Sequence, residues 1–164
     1  MKTLILIKPD GVSRRLIGQI IDRFEKGGLT VSALKMMDAT VELLKQHYVE
    51  DEDYLRSIGE KAASNGVKVD DNVEYGRGIV LGLRKYLMEG KVVAMVLEGE
   101  DAVALTRQIT GATNPPRADE GTIRRDFGQD SFEQANAANR PVYNLIHASG
   151  TAEEAEKEIA LWFP

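Results

Sequence analysis

Short runs of β-branched and aliphatic residues alternate along this chain with segments whose apolar positions recur at helical spacing. Thr3 to Ile7 is one such run, and it ends at Lys8-Pro9. Pro9 has no N–H for a ladder, so a first strand is predicted to stop there. Ile17, Ile20, Ile21 and Phe24 then follow i, i+3, i+4, i+7 up to Gly27-Gly28, which predicts an amphipathic helix over about residues 13–26. Strands are predicted over 29–37 and 91–97, the second apolar enough to be central. Between them lie helical patterns over 41–48 and about 77–89, the latter striped by Val80, Leu83, Leu87 and Met88.

Residues 51–76 are polar, glycine-containing and aperiodic, and read as an exposed, mobile insertion with some helix, about 50–78 at its widest. A helix over about 100–109 gives way to a loop from Gly111 to Gly121 that contains Pro115 and Pro116; the extended loop region runs to about 141. Val142 to Ala148 reads as a fourth strand. Thr151 with Glu154 three residues on forms a capping box that opens a helix running to about Trp162. Grouping the middle helices as one connection leaves a βαββαβ order, an α+β fold of the ferredoxin-like kind. It comprises a four-stranded antiparallel sheet with helices on one face, a helical insertion and a C-terminal helix, and residues 1–164 read as a single domain with no repeats.

Composition narrows the function classes. No run approaches the ~20 apolar residues of a membrane-spanning helix, and Met1-Lys2 leads straight into a strand without a secretory leader, so a cytoplasmic protein is expected. With no cysteine, disulfides, thiol nucleophiles and thiolate metal sites are excluded. A net charge of -5 argues against an extended binder of nucleic-acid backbone, although a local anion site fits inside an acidic protein.

The two histidines are the natural starting point for chemistry, because a neutral imidazole is a nucleophile near pH 7. His47 lies in the polar stretch Lys45-Gln46-His47-Tyr48 and is expected to be exposed. His147 closes a strand before Ala148, Ser149 and Gly150, with room for a ligand beside it. Ala155, Ile159 and Trp162 form the apolar stripe of the last helix, and Glu158 falls on or beside it. A carboxylate there either reaches water or pairs with a buried partner, for which the His147 ring is the candidate. Lys8 at a strand end, Gly11, and Arg107, Thr113 and Arg124 around the long loop could bind phosphate, though each alone is most simply a surface residue. Neither a Gly-x-x-x-x-Gly-Lys-[Ser/Thr] loop nor a Gly-x-Gly-x-x-Gly turn is present. The residues alone thus lead to an anion site beside a reactive histidine.

Lys8-Pro9-Asp10-Gly11-Val12 and Asn144-Leu145-Ile146-His147-Ala148-Ser149 closely resemble the two signatures of nucleoside diphosphate kinases. Gly111-Ala112-Thr113-Asn114-Pro115, Gly121-Thr122-Ile123-Arg124 and Ala155 to Phe163 also resemble the family, in its order. The resemblance implies a ping-pong reaction, in which His147 takes the γ-phosphate of a nucleoside triphosphate and passes it to a diphosphate, with broad base acceptance. It implies that Glu158 and Ser149 support His147. It further implies that Lys8, Asn144, Arg107, Thr113 and Arg124 hold the nucleotide, with Tyr48 beside the transferred group and Mg²⁺ arriving on the phosphates. A homo-oligomer is expected too. Ile79 aligns with the family's base-stacking aromatic, Arg125 with a usual glycine and Gly150 with a usual aspartate. Strict strand alternation would put Asn144 and His147 on opposite faces, so the backbone has to depart from extension between them. Three other readings are an RNA-binding module, an assembly protein that kept the fold without catalysis, and a histidine phosphatase. The first lacks the aromatic strand motif it would need.

Overall fold

Alternation within the first strand decides the architecture. The computed structural model describes residues 1–64 and 66–164. In β1 (Lys2–Ile7), Leu4 and Leu6 enter one apolar cluster and Ile5 and Ile7 another, and all four are fully buried. A strand buried on both faces belongs in the middle of a sheet covered on both sides. The sheet order is β2-β3-β1-β4, all neighbours antiparallel, with β2 (Thr30–Asp38), β3 (Lys91–Glu98) and β4 (Ile146–Ala148). This is the ferredoxin-like βαββαβ arrangement.

Its two crossover helices, α2 (Ile17–Lys26) and α6 (Ala102–Thr110), pack on the face of Ile5 and Ile7 through Ile20, Phe24 and Ala102. The opposite face, which the sequence reading left bare, is covered as well. Leu44 of α3 (Val41–His47), Leu55 of α4 (Glu52–Ser64), Val80 and Leu87 of α5 (Asn72–Leu87) and Trp162 of α9 (Ala152–Trp162) close over Leu4 and Leu6. Two short helices, α7 (Ile123–Phe127) and α8 (Phe132–Ala137), lie in the long loop region.

Three element boundaries depart from expectation for local reasons. The helix expected over 13–26 is two pieces, because α1 (Pro9–Ser13) starts at Pro9, where a missing N–H costs nothing, and Arg15 at φ 59 breaks the run. α5 begins at Asn72 because the Asp71 carboxylate accepts from the N–H groups of Val73 and Glu74. The polar segment expected to hold some helix forms a helical hairpin, of which Asn65 lies outside the described residues. Two glycines permit the crossing: a Cβ on Gly59 would stand 2.3 Å from the Asn72 carbonyl oxygen, and one on Gly76 2.1 Å from that of Leu55. Gly76→Ala is therefore expected to open the hairpin at a cost of about 1–3 kcal/mol, seen as faster hydrogen exchange in α4 with the sheet amides unchanged.

Candidate active site

β4 pairs with β1 so that His147 lies opposite Leu6, and the tight turn after Ser149 brings α9 back beside it. Thr151 caps that helix by accepting from the Glu154 N–H, while Glu154 accepts from the Gly150 N–H. Seven residues further on, Glu158 faces the strand. His147 Nε2 lies 2.9 and 3.0 Å from its two carboxylate oxygens, and Ser149 Oγ donates to Glu158 Oε2 at 2.6 Å. A carboxylate only accepts, so Nε2 carries a proton, and in the neutral ring Nδ1 then keeps its lone pair. Burial alone would raise the Glu158 pKa, but the neighbouring imidazoles and the Ser149 hydroxyl outweigh it and hold the carboxyl below its usual range. The margin position open to Glu158 in the sequence is thus not the one it takes, since its side chain is only 14% exposed.

The alternation problem at Asn144 is solved by one residue. Leu145 has φ 71, and the Ile146 N–H donates to the Asn144 carbonyl at 2.8 Å, an i to i+2 bond that closes a γ-turn. Strand pairing consequently begins only at Ile146, which is why the fourth strand is shorter than the run from Val142 suggested. Asp10 stabilises the turn: its Oδ2 accepts from the Leu145 N–H, and its Oδ1 from the Tyr86 hydroxyl at 2.6 Å. The Lys8 N–H also donates to the Leu145 carbonyl. Turned this way, the Asn144 side chain meets Lys8, whose Nζ donates to Asn144 Oδ1 at 2.8 Å, and donates from Nδ2 to the Thr113 carbonyl. Lys8 is buried, and that burial, with Arg124 nearby, depresses its pKa to about 7, opposed by Asp10.

Arg124 sits at the start of α7 and donates to three carbonyls, those of Asn144, Gly111 and Ile146. Three of its five N–H groups are thereby fixed and two remain. Burial lowers its pKa to about 10, so it stays cationic. Arg107, exposed at the end of α6, adds to that lowering by its charge, and its Nη1 is 3.7 Å from where a Cβ on Gly150 would stand. Thr113 is exposed beside these groups, in the loop whose carbonyl Asn144 holds. Tyr48 is buried, its ring 6.4 Å from that of His147, and burial raises its pKa. Arg84 of α5 anchors the end of α3 by donating to the Tyr48 carbonyl and to Glu50. Ile79 is half-buried on α5, seven residues before Tyr86 and hence on the same helix face two turns away.

His47 is the main correction. Its side chain is 0% exposed, its ring meets that of His147 edge-on at 4.7 Å, and its Nδ1 accepts from Trp162 Nε1–H at 3.2 Å. Burial, with lesser help from the charges of His147 and Lys8, depresses its pKa to about 3 against the opposing pull of Glu158. A signal was available: Leu44, His47 and Tyr48 fall at i, i+3, i+4, and Leu44 and Tyr48 are both buried. The polarity of Lys45 and Gln46 concealed it.

A strand-end histidine paired to a carboxylate, with Lys8, Arg107 and Arg124 around it, suits the handling of phosphate. The family model described as nucleoside diphosphate kinase matches residues 1–57 and 74–164. The chain belongs to the nucleoside diphosphate kinase family. It is accordingly an enzyme of the family that moves phosphate between nucleoside triphosphates and diphosphates. The nucleoside diphosphate kinase of Pyrobaculum aerophilum is 44% identical over 172 residues, covering 99% of this chain and 94% of that one. The Mycobacterium tuberculosis kinase is 39% identical, covering 99% and 96%. Among solved structures, the P. aerophilum NDP kinase superposes with a TM-score of 0.93 at 43% identity, covering 99% and 95%. The Borrelia burgdorferi kinase, a transition-state mimic with bound vanadate and ADP, gives 0.82 at 34%, covering 100% and 87%. The family model leaves out residues 58–73, the tip of the α4–α5 hairpin. Among the described residues no helix is long and apolar enough to cross a membrane.

Proposed function

We propose that His147 carries the phosphate in the family's reaction, and carries it on Nδ1. The observation that supports this reading is the grip of both Glu158 oxygens on Nε2, while no hydrogen bond among the described residues engages Nδ1. In the first half-reaction Nδ1 attacks the γ-phosphorus of a nucleoside triphosphate. The N–P bond forms as the bond to the bridging oxygen breaks, and the diphosphate leaves with the electron pair. In the second, a terminal oxygen of another diphosphate attacks the same phosphorus and His147 leaves as the neutral ring. Glu158 stabilises the positive charge that develops on the ring, and Ser149 holds Glu158 in place.

Such a transfer asks the protein chiefly for positioning and charge. In this reading Lys8 and Asn144 hold the ribose hydroxyl and nearby phosphate oxygens. Arg107, Thr113 and the two free N–H groups of Arg124 hold the phosphates, and Tyr48 walls the transferred group. The base lies against Ile79, gripped by its face and not by its edge, which favours broad acceptance of purines and pyrimidines. Among the described residues the one group of clustered metal-type donors is His47, His147 and Glu158. Two imidazoles and one carboxylate suit softer ions than Mg²⁺, which prefers oxygen. In this reading Mg²⁺ is brought in on the nucleotide phosphates. The chain reads as one catalytic domain in a cytoplasmic homo-oligomer, the latter supported by edge strand β2, where Leu34 and Met36 are about half exposed.

The test is to mix the protein with γ-labelled ATP and Mg²⁺, look for acid-labile label, and chase with GDP. Label on His147 that moves to GTP is the expected result. Label lost to water would make the protein a histidine phosphatase, and no label from folded protein would make it an inactive scaffold.

A further inference from the structure

Glu158 is bordered by two imidazoles, and only one of them is bonded to it. His147 Nε2 is in hydrogen-bond contact, whereas His47 Nδ1 stands 3.7 Å from Glu158 Oε1. What keeps them unequal is Trp162, which lies one helical turn after Glu158 on α9 and is almost fully buried. An indole N–H can only donate, so the bond from Trp162 Nε1 requires an unprotonated Nδ1 on His47. The proton of a neutral His47 must then sit on Nε2, which is buried and has no partner. An unpaired buried N–H is unfavourable, so this tautomer is held against a cost. The alternative tautomer would aim an Nδ1 proton at Glu158 and compete with His147 for it.

We propose that His47 is a positioning residue for phosphoryl transfer: a neutral imidazole, held in its Nε2–H tautomer by Trp162, that reserves Glu158 for His147 and fixes the His147 ring. The inference rests on the reading of His147 as the phosphate carrier. The parts come from three elements, α3 for His47, α9 for Glu158 and Trp162, and β4 for His147, so the device is set by packing and not by one local turn. The His47 ring packs edge-on against that of His147, centroids 4.7 Å apart, which restricts turning of the His147 ring. The groups whose charges act on His47 are His147, Glu158 and Lys8. None of them protonates it while the Trp162 bond stands.

Two variants separate its parts. His47→Asn offers Oδ1 to Trp162 in place of Nδ1 but loses the ring against His147. His47→Phe keeps the ring edge and leaves the Trp162 N–H without an acceptor. In single-turnover labelling with γ-labelled ATP, both are expected to form phosphohistidine about 10- to 100-fold more slowly, the scale of a small misplacement of reacting atoms, with nucleotide affinity within about twofold. Wild-type labelling rates in a folded variant, or rate and affinity falling together, would overturn the proposal. Should either variant fail to fold, long-range ¹H–¹⁵N spectra of the wild-type protein decide, since it holds only two histidines. The expected result is a neutral His47 protonated on Nε2 from pH 8 to 6. A charged or Nδ1-protonated His47 overturns the inference. The two readings fail separately: if the wild-type chain takes no label, the carrier assignment has fallen, and if it labels while the variants match it, only the role of His47 has.

Discussion

His147→Ala is expected to slow phosphate transfer by on the order of 10⁴-fold or more, as removal of a covalent nucleophile does when the rest of a site survives. Nucleotide binding should persist within about threefold, because the cations do not depend on the ring. Lys8 is held by Asn144, Arg124 by three backbone carbonyls, and neither touches His147 through a hydrogen bond. Rapid-quench kinetics and ADP calorimetry on the same preparation check both halves. A large loss of ADP affinity would instead mean that the ring organises the phosphate site. Glu158→Gln should fall between the two, since an amide oxygen still accepts from Nε2–H without the charge that steadies the developing imidazolium.

The frame of the molecule was legible because it follows from apolar runs and one periodicity. Continuous β-branched and aliphatic runs over 3–7 and 91–97, and period 3.6 in 17–24 and 155–162, placed the central strands and the helices that carry Glu158 and cover the sheet. What could not be read lies where a tertiary contact overrules local preference. Leu145 adopts a positive φ that its side chain disfavours, and only the bond its N–H donates to Asp10 and the one its carbonyl accepts from the Lys8 N–H explain it. The α4–α5 hairpin looked aperiodic because its packing depends on the absence of side chains at Gly59 and Gly76.

Two departures noted in the sequence also gain physical content. At Gly150 a Cβ would stand 2.6 Å from Glu154 Oε2, the far end of a flexible side chain that accepts from the Gly150 N–H and would have to shift to make room. Arg125, where a glycine was the family's habit, donates to the Pro116 carbonyl and ties α7 to the loop before it. For Ile79 the structure offers only a half-buried aliphatic surface.

Lys8→Met is expected to act in opposite directions on activity and stability. Lys8 is 4% exposed and its pKa is depressed to about 7, against the ordinary lysine value of 10.5. Between those two values the unfolded chain holds a proton that the folded chain does not, so stability rises with pH across that window. The cost of burying the cation is complete below about pH 7 and gone above about 10.5. Removing the amine should stabilise the fold by about 1–3 kcal/mol at pH 6 to 7, less whatever is lost at Asn144 Oδ1, with the gain shrinking towards pH 10. Urea melts at pH 6.5, 8 and 9.5 would show this convergence, and a variant less stable at every pH would contradict it. Activity should fall about 100-fold, the scale of one preorganised donor lost from a charged site. The same titration predicts a signature in the unmodified enzyme, because anionic phosphate favours protonated Lys8. Nucleotide affinity should decline as pH rises above about 7, with protons taken up on binding, and both effects should vanish in the Lys8→Met variant.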